Sequence, residues 1–241
     1  LTVSPAFVPT TDLQQVAQQL EDAKDGPLLV LLGAVCGEPA TGVTIVSQRG
    51  RVLFRNVQAA RIFHDTEENA NRVLGKYWHD YMPVEWVRER LLLLRRLLEQ
   101  NKPALMRTLW RDAQHLTWIY PMVGGRDGED RLFLLITRRV SKEEQAAIVS
   151  AASTEFEVVE SSVIRLQTLD SLSNRELGVL AMLGSGQSIA EVALALGLSE
   201  KTVDNHRGAI YSKLRISDRS QLLSIVARAG LTVADAGRKR V

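Results

Sequence analysis

Apolar residues along this chain change their spacing several times, and each change predicts a different element. Near the start, Leu13, Val16, Ala17 and Leu20 recur at helical spacing from Thr11 or Asp12 to Lys24, and Gly26-Pro27 ends that helix. From Gly42 the period shortens. Val43-Thr44-Ile45-Val46, the turn Gln48-Arg49-Gly50 and Val52-Leu53-Phe54-Arg55-Asn56 read as a hairpin. Helical spacing returns at Val57 to Phe63, around Glu67 to Leu74 and from Pro83 to Gln100, where Trp86, Leu94, Leu97 and Leu98 form a stripe with Arg and Glu outside it. Three strand-like runs follow, Ala104 to Arg111, His115 to Val123 and Arg131 to Arg139, the last two separated by Gly124-Gly125-Arg126-Asp127-Gly128.

Ser141 to Ser171 contains neither Gly nor Pro. Ser141 with Glu144 forms a capping box, and Ile148, Ala152, Phe156, Val159, Val163 and Leu166 follow at spacings of four or three. This predicts one long amphipathic connector helix over 141–168, which pairs with its copy in a dimer or packs on its own sheet. Beyond it come three short helices with clear punctuation. Ser173 or Asn174 caps the first, and Gly184-Ser185-Gly186 stops it. Ile189, Val192, Ala193 and Leu196 share one face of the second, which Gly197 ends, and Ser199 caps the third, Glu200 to Leu214. Val203, Ile210 and Leu214 turn inward in that third helix, leaving Lys201, Asp204, Asn205, Gly208, Ser212 and Arg215 outside. Such a polar face suits a major groove.

Over these fifty or so residues the chain resembles the LuxR-type helix-turn-helix of bacterial transcription regulators. The likeness is carried by Leu172, Arg175-Glu176, Val179-Leu180, Gly186, Ile189-Ala190, Ala193, Leu196-Gly197, Leu198-Ser199, Lys201-Thr202-Val203, His206, Ile210-Tyr211 and Lys213-Leu214. It implies a cytoplasmic, sequence-specific regulator of transcription that binds double-stranded DNA as a homodimer, with RNA polymerase as a further candidate partner. Lys201, Thr202, Arg207 and Lys213 are the expected phosphate contacts. Asp204, Asn205 and Gly208 occupy positions that commonly face bases: Asn205 suits adenine, Asp204 accepts from cytosine but repels phosphate, and Gly208 offers no side chain. His206 either braces the helix or meets a phosphate.

Two strands, several helices and then three antiparallel strands is the order of a PAS sensor domain. The resemblance rests on Gly42 to Val46, Gly50 to Asn56, Leu74-Gly75-Lys76 and Leu132 to Arg138. It implies an α+β fold with a five-stranded antiparallel sheet, helices over one face, and often a small ligand or a dimer contact. The expected organisation is a helical extension over 1–36, a PAS-like sensor over 37–140, the connector helix, an all-α four-helix DNA-binding domain over 169–232 and a basic tail over 233–241. No cofactor is firmly implied. Cys36 precedes the first strand, which argues against flavin-based light sensing; a haem would need His64 or His79, and a histidine between Trp78 and Asp80 is more often simply hydrogen-bonded. The aromatic stretch Tyr77 to Met82, with Trp86, Trp110, Trp118 and Tyr120, lines an apolar pocket or packs the core, core packing being the plainer account.

Composition changes this picture little. The 241 residues suffice for two domains, and a net charge of +2 is too small to argue for nucleic acid by itself. The placement of charge matters more: Lys201, Arg207, Lys213, Arg215 and Arg219 cluster at the third helix, and Arg238-Lys239-Arg240 is basic. One Cys excludes an intramolecular disulfide or a multi-thiolate zinc site. The apolar run from Pro27 to Cys36 is too short for a membrane anchor, so neither an anchor nor export is expected. No metal site, nucleotide-binding glycine pattern, phosphoacceptor cluster or catalytic triad is legible, so no enzyme is expected. A protein-interaction or dimerisation module with vestigial DNA binding is the alternative.

Overall fold

The computed structural model describes residues 33–63, 72–122 and 130–241. The helix expected over Thr11 to Lys24, His64, most of the segment around Glu67 and the loop from Gly124 to Gly128 lie outside the described residues. The protein is α+β and falls into two compact units. The first takes residues up to Met106 with 117–139 and 153–159; the second takes 107–116, 140–152 and 160–241.

In the first unit, β1 (Thr41–Ser47) and β2 (Val52–Arg55) make the expected hairpin. Gly50 turns it with φ +79°, where a Cβ would lie 2.9 Å from Trp78 Cε3, so both backbone and space require glycine. Helix α1 (Val57–Phe63) follows, then a short 3-10 turn at Trp78–Asp80 and helix α2 (Val84–Gln100). Helix α2 begins after Pro83, as periodicity predicts, and stops at Asn101 in the left-handed conformation. The antiparallel partner of β1 is β5 (Leu132–Arg139), in register from Thr41 opposite Arg138 to Ser47 opposite Leu132.

Alternation then separates two faces. Ile45, opposite Phe54 and Leu134, joins Val43 and Cys36 in an apolar cluster on one face. The other face bears Gly42, whose Cβ would stand only 2.9 Å from Ala59 Cα, so helix α1 lies directly against the sheet there. Asn56 fastens this corner. Its side-chain amide donates to the carbonyls of Cys36 (3.2 Å) and Thr41 (2.8 Å), and its oxygen accepts from the amides of Val43 and Ala59, each at 2.9 Å. Cys36 is buried, and burial pushes its thiol up to about 11 from 9.0. Its reaction with a thiolate-directed reagent at pH 8 is expected to be about 100-fold slower in the native protein than after denaturation. Equal rates in a stopped-flow disulfide-exchange assay would contradict that burial.

The sheet has six strands rather than the five implied by the resemblance. Its order is β2-β1-β5-β4-β3-β6, with β3 at Ala104–Trp110, β4 at Ala113–Pro121 and β6 at Glu157–Glu160. The extra strand comes from the stretch read as connector helix. Helix α3 spans only Lys142–Ala152, after which the chain turns, extends as β6 and makes the two-residue strand β7 (Val163–Ile164). Glu157 donates its amide to the Pro103 carbonyl and Ser161 to that of Arg107, each at 2.9 Å, so pairing with β3 satisfies the backbone of a segment whose apolar spacing suited a helix equally well.

In the second unit, the core joins Leu109 of β3 and Ile164 of β7 to Leu177, Leu180, Val192, Val203, Ile210, Leu222 and Val226. These last residues sit on four helices: α4 (Asn174–Gly184), α5 (Ile189–Leu196), α6 (Glu200–Leu214) and α7 (Arg219–Ala229). Strands β3 and β4 meet in a turn of Arg111 and Asp112, with φ of 54° and 56°, as a two-residue hairpin of the type I′ kind demands. The Asp112 carboxylate accepts backbone amides at Gln167 (3.0 Å) and Thr168 (2.6 Å), which caps the 3-10 turn Thr168–Ser171.

Arg107, 2% exposed, is fully satisfied. It grips Asp235 with two bonds of 3.0 and 2.9 Å, and also donates to Gln114 Oε1 (2.6 Å), the Gly230 carbonyl (2.8 Å) and Glu160 (3.1 Å). The segment expected to be a basic tail is therefore built into the unit. It forms a 3-10 turn, Val233–Gly237, that buries Asp235, and a strand β8 (Lys239–Arg240) parallel to β7; Arg238 pairs with Asp235 and Glu160.

Candidate nucleic-acid interface

Serine starts each of the helices α4, α5 and α6. Ser173 Oγ accepts the Glu176 amide (3.2 Å) while Glu176 returns a bond to the Ser173 amide (2.7 Å), and Ser188 and Glu191 repeat that box at α5. Helix α5 ends at Gly197, whose φ of 62° lets Leu198 donate back to the Ala193 carbonyl at 2.9 Å. One residue on, Ser199 caps α6 by accepting the Thr202 amide at 3.1 Å. Two helices are thus joined through a sharp turn by local chemistry alone.

Val203, Ile210 and Leu214 hold α6 in the core, as the sequence predicts. Lys201, Asn205, Arg207, Gly208, Ser212, Lys213 and Arg215 are exposed, and Thr202, Asp204 and His206 are half-buried at the margin. Lys201, Asn205, Gly208, Ser212 and Arg215, at steps of four and three, form one continuous stripe. A Cβ on Gly208 would meet nothing within 4 Å, so the middle of this stripe has no side chain and lies open.

Three expected contact residues are already engaged. Thr202 shares a hydroxyl bond of 2.8 Å with Ser199. Arg207 pairs with Asp204 at 2.7 Å, both side chains nearly half exposed. Lys213 reaches across to the buried carboxylate of Glu176, at 2.7 and 2.9 Å. Burial works to raise the pKa of Glu176, but the Lys213 ammonium and the Ser173 cap more than offset it and hold the carboxyl below its ordinary range. Lys213 therefore ties α6 to the start of α4, a role its position on an outward face did not reveal. Arg175 bonds the Leu196 carbonyl at 2.9 Å and Arg219 approaches that of Gly186 at 3.5 Å, so both cations complete helix or turn ends. Sequence reading placed Glu176 in the family pattern but missed its pairing with Lys213, although its spacing from Ser173 carries the capping-box signal.

In the first unit, His79 is well exposed, stacks on Tyr77 and lies 3.4 Å from Asp80, which fits a hydrogen-bonded surface histidine. Trp78 and Trp86 are buried core residues there, as Trp110 is in the second unit.

The model of the luxR family of bacterial regulatory proteins matches residues 170–226. This part of the chain is a LuxR-type helix-turn-helix domain. The chain is 40% identical over 74 residues to the transcriptional regulatory protein TdiR of Thauera aromatica, a match that covers 31% of this chain and 33% of that protein. It is also 40% identical over 65 residues to the response regulator UvrY of Escherichia coli, covering 27% and 30%. The chain thus spans about a third of the length of the curated relatives it matches. Among solved structures, the complex of Vibrio cholerae VqmA with ligand and DNA is similar over 88% of this chain and 93% of that one, at 15% identity and a TM-score of 0.48. The PAS domain of Bordetella pertussis BvgS covers 54% of this chain and is itself covered over 98%, at 19% identity and a TM-score of 0.36. No helix among the described residues is long and apolar enough to cross a membrane.

Proposed function

We propose that this protein is a sequence-specific transcription regulator that binds double-stranded DNA as a symmetric cytoplasmic dimer, with its PAS-like unit taking a small-molecule signal. The observation that carries the reading is α6: a luxR-family helix, capped, fixed on one side by Val203, Ile210 and Leu214, and presenting an open polar stripe from Lys201 to Arg215. In a dimer, two such helices enter successive major grooves, with Lys201 and Arg207 on phosphates and Asn205 at a base edge. The gap at Gly208 lets the helix backbone approach the groove floor. Lys213 contributes to binding mainly by holding α6 in place. RNA polymerase is the partner through which occupancy would be converted into transcription.

Selection from a randomised duplex pool at near-physiological salt is the test. A palindrome with half-sites about one helical turn apart is the expected product. On the selected duplex, replacing Lys201 and Arg207 together with Ala is expected to weaken binding and reduce the salt slope by about 2 units. The ion pairs of Asp204 with Arg207 and Glu176 with Lys213 favour a second reading, in which cations serve the fold and the unit docks another protein. Unselective retention with an unchanged slope in the double variant would decide for that reading.

A further inference from the structure

Arg55 ends β2 inside the first unit at 7% exposure, and its Nε and Nη1 reach neither solvent nor a hydrogen-bond acceptor among the described residues. A guanidinium carries five donors and keeps its charge throughout the physiological range. Withdrawing it from water without an anion is strongly unfavourable. The Phe63 ring, 5.6 Å from the guanidinium, returns only a small part of that cost. The desolvation is deep enough to lower the pKa of Arg55, with Tyr81 the titratable neighbour that opposes the shift.

The surroundings are those of a binding surface rather than a plain core. The register sets Thr44 opposite both Arg55 and Leu135, and Gly42 opposite Thr137, all on the face that α1 covers. Thr44, Thr117 and Thr137 are buried there, the last two sharing a 3.0 Å hydroxyl bond. The opposite face, with Val43, Ile45, Phe54 and Leu134, is apolar. Next to Arg55 begins a chain of aromatic edges, Phe63 to Trp86 at 6.2 Å and Trp86 to Trp78 at 5.1 Å.

We infer that Arg55 is the anion-recognising group of a ligand site on the helix-covered face of this sheet, and that its ligand is a small aromatic carboxylate. The carboxylate accepts from one of the free guanidinium nitrogens, Nε or Nη1, the threonine hydroxyls face the polar edge of the ligand, and Phe63 and Trp86 pack against its ring. This inference rests on the reading of the first unit as a small-molecule sensor and names the chemistry it takes.

Benzoate and its neutral isostere benzamide are titrated into the full chain at constant ionic strength, followed by tryptophan fluorescence and thermal unfolding. Benzoate is expected to bind saturably and raise Tm, with benzamide at least about 30-fold weaker. Arg55→Met, which removes the charge and keeps the volume, is expected to fold and to bind the two probes alike. Equal binding of both probes by the unsubstituted protein, no response to benzoate, or a benzoate preference that survives in R55M each overturns the assignment; the first comparison stands even if R55M does not fold. Binding to the selected duplex is measured in parallel. If it persists while benzoate fails, the anion site falls and the DNA-binding reading stands. Saturable benzamide binding without a charge preference would leave the sensor and remove only Arg55 from its role.

Discussion

Asp235→Asn is expected to lower the unfolding free energy by about 3–5 kcal/mol, because it strips the buried Arg107 guanidinium of its main counter-charge while leaving it out of water. Glu160, the remaining carboxylate on Arg107, is nearly half exposed and only partly compensates. Acid titration gives an independent check. Burial alone would raise the pKa of Asp235, but the Arg107 bonds and charge, the Thr232 amide and Arg238 outweigh it, so the folded carboxyl lies below its ordinary value. A depressed folded pKa means a contribution fully present above the unfolded value, near 4, and lost as pH falls through the folded one. The native protein should therefore lose stability on acidification below about pH 4 more steeply than D235N, as read from urea midpoints across pH. Replacing both partners, Arg107→Met with Asp235→Leu, should recover most of the loss. Equal stability of D235N and the unsubstituted protein would show that the pair contributes nothing.

Gly184→Val should cost about 3 kcal/mol by overpacking. A Cβ on Gly184 falls 2.4 Å from Val226 Cγ2 and 2.5 Å from Val226 Cβ and Cγ1. Val226 is β-branched and cannot swing aside, so α4 and α7 must part. Val226→Ala in the same chain should restore part of the loss, and a double-mutant cycle on denaturation midpoints measures the coupling. Additive effects would mean that the two helices do not meet there. The sequence marks Gly184 as a helix stop, yet it is the last residue of α4 and a packing position, while the turn itself falls to Ser185 and Gly186.

What was legible followed from local chemistry. The hairpin at Gly50, helix α2 after Pro83, the serine caps at Ser173 and Ser199 and the inward face of α6 are written within a few residues of where they act. What was not legible depends on distant partners. Ile148 to Leu166 carries a helical stripe, but α3 stops at Ala152 because Glu157 to Glu160 find backbone partners along β3. The turn at Arg111 and Asp112 lacks the Asn-Gly or Asp-Gly signal, and is held instead by amides some 55 residues further on. The exposed stripe of α6 was readable from its period, whereas the pairing of Lys213 with Glu176 spans 37 residues and three helices.

The division of the β3–β4 hairpin bears on how this chain folds as it is made. Arg107 precedes Asp235 by 128 residues, and Leu109 shares a core with helices that begin at Asn174. During synthesis the hairpin tip waits, its guanidinium still hydrated, while the LuxR-type segment is translated. The second unit therefore closes through contacts of long sequence separation, which are slow to form, the Val233–Gly237 turn with Asp235 among them. A copy of the helices begun at Glu160 in a shuffled gene would start instead without Leu109, Arg107 and Asp112; swapping this LuxR-type unit between proteins means carrying a piece of the sheet with it.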